Sequence, residues 1–149
     1  MTDASGRAKP RRRTLVKAVR GAVEIIVRTV LGLLLIAHGQ VHLLWFASSA
    51  DPAWPFRLDR SRLVPGAART PTAVALIALV VVGFALLGLA VWGVPGLTST
   101  WPVLAIAASL TSLATMVLFG DRRLLWGVAI DVALIVVALW QPMWTDRFG

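Results

Sequence analysis

From Thr70 to Gly120 the chain reads TPTAVALIALVVVGFALLGLAVWGVPGLTSTWPVLAIAASLTSLATMVLFG, 51 residues without one charged side chain. A bilayer core takes about 20 residues per helix, so this block is long enough for two spans and a turn. The turn is marked by GVPGLTST, in which Pro95-Gly96 suits a tight reversal. Upstream, Thr29 to Phe46 is another uncharged run, extendable back through Arg28 and Glu24. Downstream, Leu124 to Trp140 is a fourth, interrupted only by Asp131. The expected architecture is all-α, an integral membrane four-helix bundle. Its spans fall at about 24–46, 71–93, 101–119 and 123–141, with an extramembrane loop over 47–70. Residues 1–22 form a basic cytoplasmic segment ahead of this 23–149 transmembrane domain.

Composition agrees. Of the 149 residues, 58% are hydrophobic and 15% charged, and the mean hydropathy is +0.79. Such a chain lacks the polar side chains that a soluble domain of this length needs for its surface. There is no cysteine, which excludes disulfides, thiol redox relays and thiolate metal sites. The seven tryptophans, Trp45, Trp54, Trp92, Trp101, Trp126, Trp140 and Trp144, all fall at expected helix ends or in flanking segments. That placement suits interfacial belts, where indole keeps an apolar body in lipid and a wet N–H.

The net charge is +8, and residues 1–23 contribute +6 of it through seven basic residues set against Asp3. Because this run abuts an apolar helix, anionic lipid headgroups are its expected partner rather than nucleic acid. The positive-inside rule then sets both termini in the cytoplasm of a multi-pass plasma-membrane protein. The basic start, apolar run and small residues ASSA at Ala47–Ala50 superficially suggest a cleaved signal peptide. The apolar run is too long for that, since such cores span about 7–15 residues. The loop from Asp51 to Pro71 is expected to lie on the outer surface and, through Trp54 and Phe56, to cap the bundle.

Ionisable groups at membrane depth are costly and mark candidate sites. Glu24 and Arg28 stand i, i+4, the spacing of a salt bridge at the interface. His38 and His42 share that spacing, with Gln40 between them. At 100° per residue, Glu24, Arg28, His38 and His42 fall on one stripe of about 80°. Gly32 and Gly39 lie beside it and would admit a neighbouring helix closely. Depth suggests the stripe's partners. His38 lies eight residues inside Phe46, roughly 12 Å along the helix, and Asp131 lies eight residues inside Arg123. Thr111 and Ser112 reach the same level on the third helix. A His–Asp pair between the first and fourth helices is therefore expected, either as glue or as the centre of a site. Most hydroxyls in such helices bond back to the i−4 carbonyl, which is the plain expectation for Ser109, Thr111, Ser112 and Thr115. Two histidines on one helix cannot ligate both faces of a haem. They could chelate a transition metal as the histidines of HExxH do, but only with ligands beyond Asp131, so no metal site is expected.

Two stretches resemble the DoxX-like family of small four-helix membrane proteins. One is Arg28-x3-Gly32-x5-His38-Gly39-x2-His42-Leu43 in the first helix. The other is Gly120-Asp121-Arg122-x4-Gly127-x3-Asp131 at the start of the fourth. In that family a lysine often stands where this chain has His42. Some relatives belong to membrane oxidoreductase systems that deliver electrons to quinone. The resemblance thus implies a quinone-interacting or membrane-anchoring redox subunit. For such a role the spacing and depth of the polar residues offer His38, His42 and Asp131 as the chemical groups and Gln40, Thr111 and Ser112 as ligand-lining residues. The chain has no recognisable flavin or nucleotide motif, so a partner protein would supply the electrons. Two other classes fit the same residues: a scaffold that assembles with other membrane proteins or with copies of itself, and a transporter or lipid-ligand binder using the His38/Asp131 pocket.

Overall fold

A computed structural model describes residues 8–47, 49–51, 53–58, 61, 63–120 and 124–140, with side chains from Thr14 onward. The described residues are helical and contain no strand. Four helices follow one another, α1 (Ala8–Val41), α2 (Gly66–Val91), α3 (Trp101–Phe119) and α4 (Leu125–Trp140). Gly66–Val91 and Thr98–Phe119 are long and apolar enough to cross a membrane, with mean hydropathies of 3.0 and 2.0, while α4 is shorter.

Three boundaries differ from the sequence reading. α1 begins at Ala8, within the basic segment expected to precede the first span. Ala, Lys and Arg are good helix formers, and nothing between Arg11 and Val41 breaks the helix. Its last turn tightens into a 3-10 segment over His42–Phe46. α2 starts at Gly66, so Pro71 lies inside its first turns instead of opening it. The expected ends of the fourth span at 123 and 141, and Trp144, fall outside the described residues.

The chain reverses between α2 and α3 through a Schellman motif. The Gly93 N–H reaches the Ala90 carbonyl (3.0 Å), and the Val94 N–H reaches Leu89 (3.1 Å). Gly93 occupies the left-handed position with φ +85°, which a side chain rarely adopts. The Trp92 indole Nε1–H then donates to the Thr29 carbonyl at 3.3 Å, which fixes the α2 end beside Thr29 of α1.

Consecutive helices pack in order, α1 on α2, α2 on α3 and α3 on α4, whereas α1 and α4 make little backbone contact. The approach of α1 to α2 depends on glycine. A Cβ at Gly39 would stand 2.7 Å from the Phe84 Cβ, too close for any real pair. Val80, Phe84 and Leu87 of α2, Ala105 and Ala108 of α3 and Ala138 of α4 form one buried cluster, with Leu35 of α1 packed against it. A second, at the end nearer the 47–65 loop, gathers Trp45, Ala73, Ile77 and Phe119, with Phe56 of the loop packed against it. Phe56 meets the Trp45 ring edge-on (4.9 Å), so the loop does cover this end of the bundle. Trp45 is accordingly core, only 3% exposed, and does not sit on the outer surface as expected; Trp126, 84% exposed, does.

Candidate functional site

Where α1 and α4 stand apart, side chains join them. The His38 Nε2 lies 3.1 Å from Asp131 Oδ1. Asp131 is fully buried, and the His38 side chain is 12% exposed. The other carboxylate oxygen, Oδ2, accepts the Ser112 hydroxyl at 2.5 Å. Ser112 Oγ is in turn 3.1 Å from His42 Nε2. Four side chains from three helices thus form one continuous chain, His38–Asp131–Ser112–His42.

Local structure sets each position. The i, i+4 spacing stacks His38 and His42 on one face of α1, with ring centroids 6.0 Å apart. Phe84 of α2 holds His38 from the side, edge-on at 4.8 Å. Trp45 lies stacked on His42, at 5.4 Å and 26°. A Cβ at Gly127 of α4 would meet the Met116 methyl, the far end of a flexible side chain that would have to move aside. Substitution of Gly127 would therefore push against Met116 and the cleft that Met116 lines.

Proton counting constrains this chain. Ser112 has one hydroxyl proton and two neighbours. When Asp131 carries its charge it can only accept, so Ser112 donates to it and must accept from a protonated His42 Nε2. When Asp131 is protonated the chain can run the other way, from Asp131 to Ser112 to His42. The two interconvert when Ser112 gives its proton to Asp131 and takes the one on His42 Nε2; the net transfer from His42 to Asp131 requires His42 to start as the imidazolium, so that a neutral imidazole protonated on Nδ1 is left. The His42 Nδ1 is buried with no hydrogen-bond partner.

Beside the chain lies a cleft of about 180 Å³, in the gap between α1 and α4. Its polar wall is His38 and His42, its apolar walls include Met116 and Ile130, and Phe56 closes it at the loop end. Val41, Trp126 and Ile130 at its rim are all exposed on the outer surface of the bundle. The opening is therefore sideways.

Not every residue expected here belongs. Gln40 is exposed, since two residues beyond His38 is about 200° around the helix. Thr111 bonds back to the Ala107 carbonyl (2.8 Å), and Thr115 to that of Thr111 (2.9 Å). Ser112, one residue on from Thr111, escapes that pattern and is the hydroxyl of the site. Glu24 and Arg28 do form their ion pair, at 2.7 Å, but with both side chains more than half exposed and far along α1 from the histidines. Such exposed pairs contribute about 0–1 kcal/mol. Trp45, Phe56, Phe84, Met116 and Gly127 were not singled out by their chemistry, because apolar residues that shape a site look like any other core. Among the described residues no group of three His, Cys, Asp or Glu side chains is arranged to hold a metal ion.

Comparison with family models, with curated proteins and with solved structures returned no match. The described residues form four helices, with a hydrogen-bonded His38–Asp131–Ser112–His42 chain beside a cleft that opens sideways.

Proposed function

We propose that the chain is an integral membrane protein whose cleft admits the polar ring of a lipophilic molecule of the quinone class, within a redox system whose electrons come from a partner protein. The observation that carries this reading is the His38–Asp131–Ser112–His42 chain, whose two end members, His38 and His42, line a cleft that opens sideways. Membrane insertion is supported by where the apolar side chains lie. Only 33% of the best apolar window in each of the two longest apolar helices is buried inside the protein, the reverse of a soluble core helix. Leu79 and Val82 on α2, Leu110 on α3 and Val136 on α4 are all more than half exposed. The basic start favours cytoplasmic termini and a plasma-membrane location.

The cleft fits a ring better than a whole lipid. Pockets that enclose a complete small molecule run roughly 300–1,000 Å³, and about 180 Å³ leaves the tail of such a ligand outside, among the acyl chains. A quinone, when bound, supplies carbonyl oxygens that take hydrogen bonds and then protons as electrons arrive. The chain's own contribution is proton handling. His38 faces the cleft, Asp131 holds its Nε2, and Ser112 passes a proton between Asp131 and His42. The α1 and α4 motifs that resemble the DoxX-like family point the same way.

A second reading has one observation in its favour. Because α1 and α4 make little backbone contact, the His38–Asp131 pair directly bridges the seam between them, and a scaffold would need it for that alone.

Ser112→Ala separates the two. It removes the relay while leaving the His38–Asp131 bridge in place. Titrating purified protein with a short-chain quinone and its quinol, the ligand reading expects Ser112→Ala to weaken binding about tenfold, the size of one lost hydrogen bond to a charged group. The scaffold reading expects no specific binding in either protein.

A further inference from the structure

α1 is longer than a bilayer is thick, and the excess has two faces. The Trp92–Thr29 hydrogen bond puts the end of α2 level with Thr29, so Ala8–Arg28 runs on beyond the bundle by about 30 Å at 1.5 Å per residue. At 100° per residue, Leu15, Val16, Val19, Val23 and Ile26 lie within an arc of about 100°. All five are more than half exposed. Lys17 and Glu24 occupy the opposite side, and Arg20 flanks the arc beside Val16. Among the described residues, the groove on the apolar side is lined by Leu15, Val16, Val19, Arg20 and Val23 of α1.

The apolar arc is not a separate patch. It continues without rotation into Val30 and Leu33, on the outward side of α1 away from His38 and His42, and on to Val41 at the rim of the cleft. From Leu15 to Val41 the stripe is about 39 Å long, against about 30 Å of hydrocarbon. An outward bend where α1 leaves the bilayer would turn this same face back onto the membrane and leave Lys17 and Glu24 in water. Gly21 stands on the polar, convex side of such a bend, with nothing within 4 Å of the position a Cβ would take.

We propose that the first part of α1, from Ala8 to Arg20, is an in-plane foot that docks on the anionic headgroups of the cytoplasmic leaflet. The charge is complementary: seven basic residues against one acid in residues 1–23. Apolar side chains on one face and basic ones on the other are what interfacial helices use. The inference rests on the membrane reading above, but not on any ligand in the cleft.

The chain has no cysteine, so single cysteines carrying a fluorophore report one position each. The positions are Val19→Cys on the apolar face, Lys17→Cys on the polar face, and Leu79→Cys on α2 as a control for membrane insertion. The full chain is reconstituted in phosphatidylcholine vesicles with or without phosphatidylglycerol, and quenched by a lipid-borne quencher. With anionic lipid, the Val19 label should be quenched as Leu79 is, and the Lys17 label should not. Without it, the Val19 quenching should fall, at about fivefold in docking equilibrium per basic residue engaged. Leu79 quenched with Val19 unquenched would overturn the foot and leave the membrane reading standing. Neither quenched would overturn both. Quenching of Val19 that ignores anionic lipid, or shielding that grows with protein density instead, would overturn anionic lipid as the occupant; the latter would make it a second copy.

Discussion

Replacing Asp131 with alanine is expected to lower the unfolding free energy by about 3–5 kcal/mol, the cost of leaving a buried polar partner uncompensated. Asp131 is fully buried and has a partner on each oxygen. Without it His38 loses its Nε2 contact, and Ser112 has only His42 left. The seam between α1 and α4 loses its bridge as well. A reversible denaturant titration of the purified protein in mixed micelles measures the loss. The double substitution His38→Leu/Asp131→Leu should regain much of that stability, because two apolar side chains can replace a buried pair at little net cost. It should do so without regaining ligand binding. A stable double variant that still binds would make the pair mere glue.

Phe84→Ala is the second large effect, again about 3–5 kcal/mol, typical of a buried aromatic truncated to alanine. Phe84 is fully buried between α1 and the centre of the core, and its Cβ closes on Gly39. It also supports the His38 ring edge-on. The variant should therefore lose stability and position together. Its binding of a quinone analogue should weaken even under conditions where it remains folded. Phe84→Leu, which refills most of the volume, should restore stability more than binding, since a branched aliphatic chain does not present a flat edge to the imidazole.

Much of this was legible in the sequence, for identifiable reasons. The uncharged block from Thr70 to Gly120 can hardly be anything but two helices and a turn, and helix α3 begins and ends where it was expected. The His38–Asp131 pair could be found by counting residues inward from each helix end, because rise per residue is nearly constant. Rotation about a helix axis is not fixed by such counting. A single residue turns the side chain by about 100°, which is the difference between Thr111, bonded to its own helix, and Ser112, bonded to His42 and Asp131. Gln40 entered the candidate site by its nearness in sequence to the two histidines, although 100° per residue already turns it away from them. Reading charge as a boundary hid the first turns of α1, where lysine and arginine are helix formers as well as cations. Trp45 was assigned to the interface by its place near a helix end; the loop that folds over it, through Phe56, was what buried it.

The most direct measurement of the central claim is the content of quinone and quinol carried by the protein itself. The chain would be purified from membranes in mild detergent, extracted with organic solvent, and the extract quantified against protein, with Ser112→Ala and His38→Leu/Asp131→Leu prepared in parallel. The expected result is a quinone-class molecule retained in near-stoichiometric amount by the wild-type chain and depleted in both variants. Equal, trace amounts in all three preparations would contradict it.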